Sequence, residues 1–126
     1  MQAKLEHVNI TVPDARATAQ FLQTLLGWET RWEGAALNDG YTVHVGNEGS
    51  YLALYSPKPA LKGQAPRYDH SGSLNHIGIV VDDLKAVEDK VAALGYIPHS
   101  HADYEPGQRF YFDGPDGVEY EMVSYD

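Results

Sequence analysis

"LEHVNITV" spans Leu5 to Val12, and "LNHIGIVV" spans Leu74 to Val81. Both open on leucine, carry a histidine two residues later and close through isoleucine to valine. The offset is 69 throughout: Leu5 maps to Leu74, His7 to His76, Ile10 to Ile79, Val12 to Val81 and Asp14 to Asp83. A repeat at this scale decides the fold, because each copy must be one supersecondary unit that buries its apolar face with help from its neighbour.

Each repeated strand leads into a helix. Ala15, Ala19, Leu22, Leu25 and Leu26 recur at helical spacing before Gly27, and Leu84, Val87, Val91 and Leu94 do the same before Gly95. Apolar residues three and four apart, ended by glycine, predict amphipathic helices with C-terminal stops. Asp14 and Asp83 occupy the N-cap places. Strand-type runs follow each helix. The first half has "WETRWEGAALN", "YTVHVG" and "SYLALYS"; the second has "YIPHSHADY", "QRFYFDG" and "VEYEMVSY". Turn signals such as "NDG", "NEG", "EPG" and "GPDG" separate them. Each half is therefore β-α-β-β-β: module one covers 1–56, module two covers 74–126, and the Pro- and Gly-rich stretch 57–73 links them within a single domain, 1–126.

The expected fold is α+β. A four-stranded sheet with one helix leaves its other face bare, and two such modules can curl into a half-barrel with a concave site and the helices outside. Strand alternation then sorts the side chains. Val8, Ile10 and Val12 face the helix, which leaves His7, Asn9 and Thr11 in the cup. His76, Gly78 and Val80 take the same place in the second half. On the last strand Val118, Tyr120 and Met122 form the apolar stripe, so Glu119, Glu121 and Val123 face the other way. Tyr51, Ala53 and Tyr55 face the cup from module one.

Composition narrows the function. The chain has 126 residues, 43% of them hydrophobic, and no cysteine, which excludes disulfides and thiolate metal sites. Its net charge is −9, and its nine Lys and Arg residues are scattered. Nucleic acid and anionic membrane are thus excluded as partners, since phosphates need a cationic footprint. No apolar run approaches the roughly 18–20 residues of a bilayer span. The N-terminus lacks the pattern of a signal peptide, so a cytoplasmic protein is expected.

Two imidazoles and one carboxylate, His7, His76 and Glu121, would meet in the cup. Two histidines, one carboxylate and open positions make the facial triad of non-haem Fe(II) chemistry, which also accepts Mn(II), with Zn(II) or Ni(II) as further choices. Glu119 competes on the same face and is assigned to the rim. His44 points away from Val43 and Val45 and is a weaker candidate. His99 and His101 alternate onto one face of an edge strand, and His70 lies in the linker.

The doubled strand openings, the βαβββ halves and the ending "FYFDGPDGVEYEMV" resemble the vicinal oxygen chelate superfamily, over nearly the whole chain. Glyoxalase I, methylmalonyl-CoA epimerase, type I extradiol dioxygenases, fosfomycin-inactivating enzymes and bleomycin-resistance proteins belong to it. The resemblance implies a divalent metal on His7, His76 and Glu121, chelating two neighbouring oxygens of a small substrate. The fourth ligand usual in glyoxalase I and the epimerases falls on Ala53, which cannot coordinate. Tyr111 stands ten residues before Glu121, as a tyrosine does in extradiol dioxygenases, and His101 (or His99) is a loose match for their supporting histidine. Tyr111 and His101 are thereby the catalytic candidates. Asn9 stands where fosfomycin enzymes carry threonine, and joins Tyr41, Tyr51, Tyr55 and Phe110 as candidate substrate contacts suited to a ring. Extradiol-type cleavage of a small aromatic diol is the leading chemistry. Isomerisation or thiol addition is the second, and metal-free drug binding of the bleomycin-resistance type the third. A homodimer, with the site within one chain or shared by module swapping, is the implied assembly.

Overall fold

A computed structural model of the chain describes residues 1–63, 67–104 and 107–126. It forms two compact units, Met1–Gly63 and Gln64–Asp126. In the first, β1 (His7–Thr11) leads to α1 (Ala15–Leu26) and then to β2 (Glu29–Ala36), β3 (Gly40–Gly46) and β4 (Tyr51–Ser56). In the second, β5 (Ile77–Val80) leads to α2 (Leu84–Ala93), β6 (His99–Tyr104), β7 (Gly107–Asp113) and β8 (Glu119–Ser124). The α+β architecture of two βαβββ modules is the one the repeat predicts.

Both sheets have the same wiring. Strand order is β1-β4-β3-β2 in one and β5-β8-β7-β6 in the other. The first strand runs parallel to the last, and the remaining pairs are antiparallel. The parallel pairing follows from the helix, which returns the chain across the sheet before the meander begins. Each sheet is open, and among the described residues no helix is long and apolar enough to cross a membrane.

The helices start and stop where side chains and backbone dictate. Asp14 accepts from the Ala17 amide at 3.1 Å, and Asp83 from the Ala86 amide at 3.0 Å. Gly27 ends α1 in the left-handed region at φ 72° and donates to the Gln23 carbonyl, a conformation that costs glycine least. Asp14→Ala should therefore destabilise the chain by about 1 kcal/mol, read as a lower urea midpoint at unchanged m-value.

One face of each sheet packs on its helix. In the first unit Ala15, Ala19, Leu22 and Leu25 of α1 bury against β3 and β4, where Val43, Val45, Leu52 and Leu54 lie. In the second unit α2 buries only Val91, and an aromatic layer of Phe110, Phe112 and Tyr120 with Met122 makes up the core. The Phe112 and Tyr120 rings stack at 5.2 Å, with Phe110 at 6.5 Å and Tyr96 at 6.2 Å from Phe112. Burial pushes the Tyr120 phenol well above its ordinary value, so it stays neutral. What remains for chemistry is the opposite face of each sheet.

Candidate metal centre

The first unit presents a ladder of rings on that face. Register places His7 opposite Tyr51, Asn9 opposite Ala53 and Thr11 opposite Tyr55, while His44 lies opposite Ala53 and Trp32 opposite His44. Cross-strand partners share a face, so these side chains line one surface. His7 stacks on Tyr51 at 4.9 Å, Tyr51 on His44 at 4.6 Å, and His44 meets Trp32 at 5.2 Å. The Arg31 guanidinium covers Tyr51 at 4.5 Å. Tyr55 also lies on this face, with its hydroxyl donating to the Leu37 carbonyl at 3.0 Å.

The second unit presents a charged cluster. Glu121, 9% exposed, has one carboxylate oxygen 3.1 Å from His76 Nε2 and accepts from Arg109 Nη1 at 2.8 Å on the other. The register explains the meeting: Gly78 pairs with Glu121 and brings β5 alongside it, and Arg109 lies opposite Val123, two residues along the same face. Gly78 faces the carboxylate, and a Cβ there would meet Glu121 Oε1 at 3.5 Å, an ordinary van der Waals contact. Tyr111 lies directly opposite Glu121 and meets the His76 ring edge-on at 5.5 Å.

The two repeated histidines are held in the same way. His7 Nδ1 donates to Glu6 Oε1 at 2.8 Å, and His76 Nδ1 donates to Asn75 Oδ1 at 2.6 Å. A hydrogen bond at one ring nitrogen sets the tautomer and turns the other nitrogen outward as an acceptor or ligand. The bond to His7 also holds the Glu6 carboxyl below its ordinary value. For His76 the consequence is direct. Its Nε2 lone pair then faces a carboxylate oxygen at 3.1 Å, and two acceptors sit that close only with a cation or a proton between them. Two ligands at right angles around an ion with bonds near 2.1 Å stand roughly 3 Å apart. The donor set of His76 and Glu121 thus fits a divalent metal, with Arg109 occupying the carboxylate oxygen the metal does not need.

Several expectations are corrected by strand geometry. Phe110 is fully buried and pairs with Met122 in the helix-side core, so it lines no binding face. Tyr41 has the parity of Val43 and Val45; its ring lies 4.3 Å from the Arg16 guanidinium of α1, and its hydroxyl donates to Glu33 at 2.6 Å. It too belongs to the helix side. His101 Nε2 donates to Glu88 of α2 at 3.1 Å, and its ring stacks on Phe110 at 5.9 Å, on the opposite face from Tyr111. The cause is a register shift between His99 and Ala102, with Ser100 in the left-handed region at φ 56°. That bulge separates His99 from His101, which plain alternation would have kept together. His99 is the histidine beside Tyr111, at 6.4 Å between rings. Glu119 is no rim residue: it is 7% exposed and accepts from the Tyr68 hydroxyl.

The sequence profile described as Glyoxalase/Bleomycin resistance protein/Dioxygenase superfamily matches residues 4–122, almost the entire chain. The chain belongs to that superfamily. No curated protein matches its sequence. Solved structures of the superfamily's fold align along the full length. A glyoxylase/bleomycin resistance protein/dioxygenase domain from Frankia sp. EAN1pec aligns with TM-score 0.80 at 18% identity, covering 100% of both chains. FosX, a fosfomycin resistance protein from Listeria monocytogenes, aligns with TM-score 0.76 at 17% identity over 100% of this chain and 96% of its own. TnmS3, an antibiotic binding protein from Streptomyces sp. CB03234, aligns with TM-score 0.76 at 14% identity over 99% of this chain and 98% of its own. FosX has been crystallised in complex with Mn(II) and sulfate. The same fold is thus found in a resistance protein crystallised with Mn(II) and in an antibiotic binding protein.

Arg109, Glu6 and Asn75 join the site only through the structure. Glu6 and Asn75 were detectable, because each immediately precedes its histidine at the repeat offset. Arg109 shares parity with Tyr111 and was detectable only once the β7–β8 register was known. His44 has a separate consequence. Burial, with His7 adding, holds its imidazole below the ordinary value near 6.5. The folded state therefore resists protonation. The associated stability is complete above the ordinary histidine range and is lost as pH falls through the lowered folded value. Urea midpoints at pH 7.5 and pH 5 should show a smaller acid loss for His44→Gln than for the wild type.

Proposed function

We propose that the chain is a divalent-metal-dependent enzyme that grips a small substrate by two neighbouring oxygens, with His7, His76 and Glu121 holding the ion. The observation that carries this reading is the approach of His76 Nε2 to Glu121 Oε1 with Nδ1 already engaged by Asn75. The matching Nδ1 contact of His7 with Glu6 supports giving that residue the same role. Fe(II) or Mn(II) suits the nitrogen and oxygen donors best, and FosX's Mn(II) complex supports the choice. When bound, such an ion polarises substrate oxygens as a Lewis acid. The chain's own residues do the rest. Arg109 orients Glu121 through one oxygen, Tyr111 offers a hydroxyl to exchange a proton with the substrate, and Tyr51, Asn9 and Tyr55 supply a ring-lined contact surface beside His7. Residues 1–126 act as one functional domain, which we take to be a cytoplasmic homodimer.

Ring cleavage of a small aromatic diol is the chemistry placed first. Tyr111 beside His76 supports it, while His101 takes no part and His99 is the nearer histidine. A second reading, metal-free capture of an antibiotic-like molecule, is favoured by the exposed ring ladder around Trp32 and by TnmS3's description. Anaerobic titration with Fe(II) and Mn(II), followed by oxygen uptake on catechols, separates the readings. Tight binding that weakens at least 100-fold in His76→Ala and in His7→Ala is the expected result, with circular dichroism unchanged. Stoichiometric metal retained by both variants would overturn the assignment. Metal without oxygen uptake moves the chemistry to isomerisation or thiol addition, and no metal leaves the binding protein.

A further inference from the structure

One step along the same face of the second unit lies a further set of ligand-type side chains. His99 opens β6, Asp113 closes β7 and Glu119 opens β8, and Asp113 is the register partner of Glu119. Each offers one ligand atom, and these atoms all lie within 4.8 Å of one another. None belongs to the triad of His7, His76 and Glu121. We infer that His99, Asp113 and Glu119 form a second divalent-cation site, next to the first and independent of it.

Three observations carry the inference. The first is a nitrogen without a partner. His99 Nδ1 shares a hydrogen bond with Ser100 Oγ at 2.9 Å, and with Nδ1 as the donor the lone pair falls on Nε2. That Nε2 is screened from solvent and makes no hydrogen bond among the described residues. The nearest carboxylate oxygen, Asp113 Oδ2, stands 3.8 Å away, beyond hydrogen-bond reach. In that tautomer a buried acceptor faces a carboxylate across the gap, which a cation between them would relieve.

The second is how the carboxylates are held. Arg67 reaches Asp113 through Oδ1 at 3.3 Å, and Tyr68 donates to Glu119 through Oε1. Each acid is engaged at one oxygen and keeps the other, the arrangement that orients a ligating carboxylate. Arg67 offsets part of the negative charge, so the pocket holds two carboxylates without needing a resident ion to fold. The third is the bulge at Ser100. It is a non-glycine residue at φ 56°, and it is what turns His99 to this face while His101 turns away. Bulges of this sort re-aim side chains beside functional sites.

One imidazole nitrogen and two carboxylate oxygens select Mn(II), Fe(II) or Zn(II) over soft ions. Ligands around a single ion stand roughly 3–4 Å apart, so loading draws the three together by less than an ångström. The test counts Mn(II) per chain by calorimetry and by electron paramagnetic resonance. Wild type should take up two ions, His76→Ala one, and the double variant His99→Gln/Asp113→Asn one. If the double variant still binds two ions, or His76→Ala binds none, the second site is overturned. If instead His76→Ala keeps two ions while the double variant loses one, the second site stands and the triad reading fails. Should the double variant not fold, judged by circular dichroism, His99→Gln alone serves, with a tenfold or greater loss at one of the two sites expected and unchanged binding at both overturning the site.

Discussion

Truncating Phe112 to alanine should cost about 3–5 kcal/mol and leave the chain close to unfolding at 37 °C. The reason is how little else holds the second unit. Its helix contributes a single fully buried side chain, Val91, so the sheet's inner face is sealed by rings. Phe112 sits at the centre of them, fully buried, stacked on Tyr120 and touching the rings of Phe110 and Tyr96. A cavity there cannot collapse without moving β7, and β7 carries Arg109, Tyr111 and Asp113 on its other side. The loss should appear as a urea midpoint far below wild type, with Phe112→Leu costing under about 1.5 kcal/mol. A loss below about 1 kcal/mol for the alanine variant would mean that the aromatic layer does not hold this unit together.

Arg109→Met should be nearly as severe in metal-free protein, at roughly 3 kcal/mol. The Arg109 and Glu121 side chains are only 13% and 11% exposed, and removing the guanidinium leaves a buried carboxylate with His76 as its remaining partner. A bound divalent ion would supply the missing positive charge. Mn(II) should therefore raise the melting temperature of the variant by more than that of wild type, because in the variant the ion meets a buried carboxylate whose charge Arg109 no longer offsets. Equal shifts would show that Arg109 and the ion do not share Glu121.

Much of this is legible in the sequence itself. The offset of 69 identified two modules, and Asp14, Asp83 and Gly27 marked helix ends because capping is local chemistry. The faces of β1, β4 and β8 followed from alternation, which placed His7, Tyr51 and Glu121 correctly on the side away from the helices. Phe110 and Tyr41 were misplaced although the same rule covers them: each shares parity with plain core residues, Phe112 in one case and Val43 and Val45 in the other. Their aromatic character suggested a ring-binding role that the alternation already contradicted. His101 is a different matter. Its face depends on a bulge, and no residue in "PHSHAD" announces one, since Ser100 is not a usual left-handed residue. Arg109 was hidden for a third reason, because its partner lies on another strand and register is not a local property.

The Ser100 bulge bears on how such a site changes over evolutionary time. Substitutions alter what a side chain is, but an inserted or deleted residue alters which side of the sheet a whole stretch serves. Deleting Ser100 would make His99 and His101 neighbours that plain alternation already sends to opposite faces, so both could keep their places, whereas straightening the strand at unchanged length would bring both to one face and cost either the contact with α2 or the place beside Tyr111. In a chain built of two like modules, a bulge of this kind lets β6 gain or lose a residue while the side chains on either side of it keep their faces.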